Sequence, residues 1–73
     1  MKYSVVFEKG ENSIGAYVPD LPGCVAVGDT VEEVEELIRG AIEFHLRGMK
    51  EDGIEIPPPV SFTKEIEVGQ PAC

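Results

Sequence analysis

The sequence predicts a small α+β fold in which one long helix covers one face of a sheet, in the order β-β-β-α-β. Three observations lead to this prediction. Short segments of strand type, separated by turn residues, fill the chain up to Gly28. From Val31 onward, apolar residues recur at the spacing of a helix face. Residues 60–68 then alternate apolar and polar side chains again. A helix with one apolar stripe needs one sheet face to bury it, so a two-layer sandwich is expected.

The first two strands are predicted over residues 2–9 and 13–18. Tyr3, Val5 and Phe7 fall on one face of the first strand, as alternation in a half-buried strand requires. Residues 10–12, Gly-Glu-Asn, are typical of a hairpin turn because Gly and Asn tolerate a left-handed backbone.

The connection to the third strand is predicted to be a kinked turn. Pro19 and Pro22 remove two backbone donors, so no regular strand can run through them. Gly23 can supply the positive φ of a type II turn. Residues 24–27 form a third, short apolar strand that ends at Gly28.

The helix is predicted to begin after Thr30, because Thr30 and Glu33 have the spacing of a capping box. Gly53 is expected to end it as a left-handed residue beyond the C-cap. The apolar stripe comprises Val34, Leu37, Ile38, Ala41, Ile42, His45 and Met49.

Three prolines, residues 57–59, predict a stiff extended crossover that returns the chain to the sheet. A fourth strand is predicted over residues 60–68, with Lys64 as the one break in its apolar face. It can join the first strand in parallel, which gives the strand order 3-2-1-4. Residues 1–68 then form a single domain, and residues 69–73, ending at Cys73, form a flexible tail.

Charge restricts the classes of partner. The chain has 14 acidic and 6 basic residues, for a net charge of −8. Direct nucleic-acid binding is not expected, because phosphate contacts need clustered Lys and Arg. The acidity fits either solubility alone or attraction to a basic protein partner. No apolar run is long enough to cross a membrane, so a cytoplasmic location without membrane contact is predicted.

No catalytic, metal or cofactor site is predicted. His45 lies within the apolar stripe and is interpreted as a packing or interface residue. Cys24 has no adjacent cation that would lower its thiol pKa, and no Cys-x-x-Cys pair exists. A two-metal nuclease would require carboxylates converging from defined strand positions, and the spacing of the acidic residues does not indicate this. The chain is therefore predicted not to be an enzyme.

The segment between the predicted second and third strands resembles a motif of a known family. The string Val-Pro-Asp-Leu-Pro-Gly-Cys at residues 18–24, followed by Gly28 and Thr30, resembles the signature of HicB-like antitoxins. The similarity extends over roughly residues 3–68. The family motif, interpreted as mainly structural, comprises Pro19, Asp20, Leu21, Pro22, Gly23, Cys24, Gly28 and Thr30. The fold that the resemblance implies is a truncated ribonuclease H-like sheet, which agrees with the predicted strand order.

The resemblance implies an antitoxin that binds and neutralises a small basic toxin of the HicA type, which cleaves mRNA. If so, the candidate contacts are the acidic residues Asp20, Glu32, Glu36 and Glu43. Many members of the family also carry a C-terminal DNA-binding domain. No basic segment follows residue 68 here, so operator binding by this chain is not expected. The alternative is a stand-alone oligomeric module with a different protein partner. In either case a homo-oligomer, most simply a dimer, is expected from the small size and the exposed sheet edges.

Overall fold

The computed structural model describes residues 1–71 of the 73-residue chain. It contains a three-stranded antiparallel sheet followed by one long helix, so the predicted α+β class is confirmed. The strands are arranged in the order β1-β2-β3. The elements are β1 (Val6–Lys9), β2 (Ile14–Tyr17), β3 (Val25–Gly28) and α1 (Val31–Glu51).

The register of the sheet separates its two faces. Phe7, Ala16 and Ala26 lie opposite one another across the three strands. Ala16 is buried and Ala26 is partly buried against the core, so this row belongs to the face that α1 covers. The neighbouring row, Val6, Tyr17 and Val25, points to the opposite face because side chains alternate along a strand.

Helix α1 has the ends that its sequence predicts. The Thr30 hydroxyl accepts a 3.1 Å hydrogen bond from the Glu33 backbone N–H. Glu33 reaches back through its carboxylate to the Asp29 N–H, one residue before the cap. At the other end Gly53 has a φ of 71°, and the N–H of Ile54 bonds to the carbonyl of Met49 at 2.8 Å. This is the Schellman pattern, and it satisfies carbonyls that would otherwise lack a donor.

The core lies between α1 and the strands β2 and β3, and the helix packs mainly on those two strands. Two of its side chains, Val34 and Ile38, are buried there. Leu37, predicted on the buried stripe, is instead 48% exposed, because at 100° per residue it lies about 100° around the helix from Ile38, at the margin of the buried face. The buried apolar residues are Ala16, Val18, Leu21, Cys24, Val34 and Ile38.

The fourth strand predicted over residues 60–68 is not formed within the described chain. Residues 54–71 have no regular secondary structure, and the sheet ends at β1. Side chains of the expected strand are largely exposed, for example Phe62 at 82% and Ile66 at 77%. The physical reason is that hydrogen bonds with Tyr3, Ser4 and Asp20 hold this segment against the body of the protein only as far as Ser61. The observed order is therefore 3-2-1, and the relation to a ribonuclease H-like sheet stays a prediction.

Residues 69–71 continue this exposed segment, whereas the rest of the predicted tail, including Cys73, lies outside the described residues. Within residues 1–71, no helix combines the length and the apolar character needed to cross a membrane.

Candidate partner-binding site

The connection between β2 and β3 consists of two consecutive tight turns. The N–H of Leu21 bonds to the carbonyl of Val18, and the N–H of Cys24 bonds to the carbonyl of Leu21, both at 3.1 Å. A third bond, from the Val18 N–H to the Cys24 carbonyl, closes the connection at its base. Gly23 has a φ of 87°, so the second turn is the predicted type II turn with Pro22 and Gly23 at its centre.

These turns bring the apolar side chains of the family motif into the core. Val18, Leu21 and Cys24 are each at most 3% exposed, whereas Pro19 and Pro22 face the solvent. Burial raises the pKa of the Cys24 thiol, which keeps it in its neutral form. The structure thus gives Cys24 a packing role, as the sequence indicated.

Asp20 lies between the two prolines and binds the segment that follows the helix. Its carboxylate accepts hydrogen bonds from the backbone N–H groups of Val60 (3.1 Å) and Ser61 (2.9 Å) and from the Ser61 hydroxyl (2.9 Å). These bonds favour the ionised carboxylate, and the backbone bond from Ser61 contributes most to holding its pKa below the ordinary value. Asp20, predicted as a partner contact, is therefore engaged within its own chain.

Two further bonds hold the same segment at the start of the chain. The Tyr3 hydroxyl donates to the carbonyl of Pro57, and the Ser4 hydroxyl donates to the carbonyl of Ser61 at 2.8 Å. These contacts and the Asp20–Ser61 pair were not predicted from the sequence. They join residues more than forty positions apart, and no local pattern of residue types indicates such a pairing.

Gly28 allows β3 to pass close to the first turn of α1. A Cβ atom at Gly28 would lie 3.0 Å from a methyl group of Val34 and would collide with the Glu33 carboxylate. The motif residues Gly28 and Thr30 thus have structural roles, one at a close approach and the other as the helix cap.

Glu32, Glu36 and Glu43 are brought together on the exposed side of α1, and we call these three residues the acidic stripe. At 100° per residue their positions fall within about 40° of one another. They point away from the face that carries the buried residues Val34 and Ile38. Arg39 lies beside the stripe, bonded to Glu36 at 3.1 Å and paired with Glu35 at 3.6 Å. The side chains of Arg39, Glu35 and Glu36 are all more than half exposed, so the two ion pairs contribute little stability.

The sheet face opposite α1 is uncovered and largely apolar. Tyr17 is 40% exposed, and Val25 and Val27 are 61% and 65% exposed. Strand alternation in the sequence could have predicted that these side chains lie on the outer face of the sheet, because each is next to a residue that packs in or against the core.

The described residues contain no group of three or more potential ligands that could hold a metal ion. His45 is half-buried on α1 among the partly covered residues of the helix.

Comparison with known proteins supports the family resemblance carried by the motif at residues 18–24. The model of a family described as HicB-like antitoxin of bacterial toxin–antitoxin system matches residues 3–70. A UPF0150 protein of Helicobacter pylori is 42% identical over 52 residues, covering 71% of this chain and 72% of the relative. A UPF0150 protein of Archaeoglobus fulgidus is 41% identical over 58 residues, covering 73% and 81%.

An uncharacterised 14.9 kDa protein of Haemophilus phage HP1, encoded between rep and hol, is 42% identical over 57 residues. The match covers 78% of this chain but only 43% of the phage protein, so the chain spans less than half the length of that relative. No solved structure matches the chain significantly. Since the family model matches nearly the whole sequence, the chain belongs to the HicB-like antitoxin family.

Proposed function

We propose that the chain is an antitoxin that binds and neutralises a small basic toxin that cleaves mRNA, and that it acts in the cytoplasm by binding rather than by catalysis. Membership of the HicB-like antitoxin family supports a toxin partner. The observation that carries the proposal is the acidic stripe, Glu32, Glu36 and Glu43, on an exposed helix face of a chain with a net charge of −8.

The electrostatics of the stripe suit a partner that binds RNA. A protein that cleaves mRNA needs a basic surface for phosphate groups, and an acidic helix face is complementary to such a surface. Exposed charges act mainly on the association rate, and their influence falls with salt because the Debye length is about 8 Å at physiological ionic strength. The stripe is thus suited to attracting the toxin and competing with its polyanionic substrate.

The test is an RNA-cleavage assay with the product of a neighbouring gene that encodes a small basic protein. The wild-type chain should inhibit cleavage. The double variant Glu32→Lys/Glu36→Lys should inhibit less, chiefly through slower association at low salt. Glu43 is left unchanged because it also lines a groove between α1 and the N-terminal segment of the chain.

The matched control is Glu8→Lys/Glu11→Lys. This variant makes the same change in net charge at exposed positions on the β1–β2 hairpin, away from the helix. Equal loss of inhibition in both double variants would show that net charge, and not the stripe, attracts the toxin. No inhibition by the wild-type chain would remove the antitoxin function for that gene pair.

A second candidate function is that of an oligomeric module with a protein partner other than a toxin. The observation that favours it is the uncovered apolar sheet face of Tyr17, Val25 and Val27, because contiguous exposed apolar groups mark interaction surfaces. This candidate predicts that Val25→Lys/Val27→Lys abolishes partner binding while Glu32→Lys/Glu36→Lys does not.

A further inference from the structure

Residues 62–68, which we call the arm, extend away from the rest of the protein. The molecule measures 54 × 27 × 17 Å with a radius of gyration of 15.1 Å. A compact domain of this length would have a radius of about 11 Å. Along the arm Phe62, Ile66 and Val68 occupy alternate positions, which fall on one side of a chain when it is extended, and each is between 76% and 82% exposed. A single copy of the chain therefore leaves a row of large apolar side chains in water.

A complementary groove lies on the body of the same chain. Because α1 packs mainly on β2 and β3, the helix leaves the free edge of β1 uncovered. The space between that edge and α1 is an open groove of about 630 Å³, which we call the edge groove. Its apolar lining comes from the N-terminal segment and from the helix, and comprises Tyr3, Val5, Phe7, Ile38, Ile42 and Leu46.

The arm and the edge groove match in length and in pattern. Residues 62–68 and residues 3–9, which contain the free edge of β1, are both seven-residue segments spanning about 23 Å when extended. A strand added beside β1 would satisfy the unpaired backbone groups of that edge and place alternate side chains under the helix. Phe62, Ile66 and Val68 have the alternation that this position requires.

Charge supports the same pairing. Lys64 is the one polar residue on the apolar side of the arm, and the helix side of the edge groove carries the acidic residues Glu35 and Glu43 together with Arg39. Arg39 is shared by Glu35 and Glu36, whereas Glu43 forms no ion pair with any of residues 1–71. A strand in the groove with Lys64 on its inner side would place that ammonium group on the helix side of the groove, where Glu43 lines the rim.

We propose that the edge groove receives the arm of a second copy of this chain, so that two copies exchange arms and each completes the sheet of the other. Within one copy the chain is held at Ser61 by Asp20 and Ser4, and beyond that point the arm leaves its own groove open. Reciprocal exchange covers both exposed arms and fills both grooves. It also supplies the self-association that so small a core needs. The predicted fourth strand thus forms between copies.

Sedimentation of the full chain at micromolar concentration tests the exchange. The wild-type chain should sediment with twice the 7.9 kDa mass of one copy. Phe62→Asp should weaken the dimer by on the order of 100-fold, because two buried phenyl rings are lost. Thr63→Asp is the matched control, since it adds the same charge on the outer side of the arm and should change dimerisation little. A monomeric wild-type chain, or equal effects of the two variants, would overturn the proposal.

Charge-reversal variants distinguish a groove filled by the arm of a second copy from a groove filled by the chain's own arm. Lys64→Glu and Glu43→Lys should each weaken the homodimer by on the order of 10-fold, because each places like charges together at two sites. An equimolar mixture should restore the dimer, since the arm of either variant then meets an opposite charge in the groove of the other. If mixing fails to restore it, the arm does not bind in this register to a second copy, and the proposal is wrong.

Discussion

The carboxylate of Asp20 accepts two hydrogen bonds of 2.9 Å from Ser61, one from the backbone N–H and one from the hydroxyl. The two residues are 41 positions apart. The Asp20–Ser61 contact joins the turn between β2 and β3 to the segment that follows α1, and it fixes the point from which the arm departs. The motif aspartate, together with Tyr3 and Ser4, therefore positions the segment that follows α1.

Replacing Asp20 by Ala should lower the denaturant midpoint and loosen residues 60–61, although the bonds from Tyr3 and Ser4 to the same segment remain. Ser61→Ala should have a smaller effect, because it removes the hydroxyl donor but keeps both backbone donors to Asp20. Amide hydrogen exchange reports on the contact directly, and exchange at Val60 and Ser61 should accelerate in Asp20→Ala. Unchanged exchange at these two amides would show that the carboxylate does not hold the segment.

Stability should depend on pH through the same carboxylate. The backbone N–H of Ser61 is the main cause that lowers the Asp20 pKa in the folded protein. A carboxyl group whose folded pKa lies below its unfolded pKa stabilises the fold above the unfolded pKa. That contribution disappears as pH falls through the folded pKa. The stability difference between wild type and Asp20→Asn should therefore be largest near about pH 7 and shrink towards about pH 3. Denaturant titrations at both pH values measure it, and a difference independent of pH would contradict the assignment.

The elements of the fold that could be predicted are those with local causes. Thr30 and Glu33 define the helix start, Gly53 defines its end, and Pro22 with Gly23 defines the type II turn, because each depends on residues a few positions apart. The hydrogen-bond partners of Asp20 could not be predicted in this way. Val60 and Ser61 lie about forty positions away, and neither residue type marks a contact with a distant aspartate.

The fourth strand shows a different limit of prediction from local sequence patterns. The alternation of residues 60–68 describes a segment suited to a sheet edge, but alternation carries no information about which edge receives it. The three helix residues of the candidate site were predictable as a group from helical spacing, because positions 32, 36 and 43 lie on the side opposite Val34 and Ile38.

Gly28→Ala should destabilise the fold by about 1–3 kcal/mol, the usual cost of inserting a methyl group into a well-packed site. Glu33 can move its flexible carboxylate away from the new Cβ, but its bond to the Asp29 N–H is then lost. A methyl group of Val34 would lie only 3.0 Å from the new Cβ. Val34 cannot move away as easily as Glu33, because its side chain is fully buried.

Gly40→Ala is the matched control for the same glycine-to-alanine change. A Cβ at Gly40 meets no atom within 4 Å, and the residue is exposed in the middle of α1. This variant should therefore stabilise the protein by up to about 1 kcal/mol through helix propensity. Urea unfolding of the two variants beside the wild-type chain distinguishes the effects, with midpoints expected to move in opposite directions. Equal midpoints for Gly28→Ala and wild type would show that the start of α1 can shift away from β3 without loss of stability.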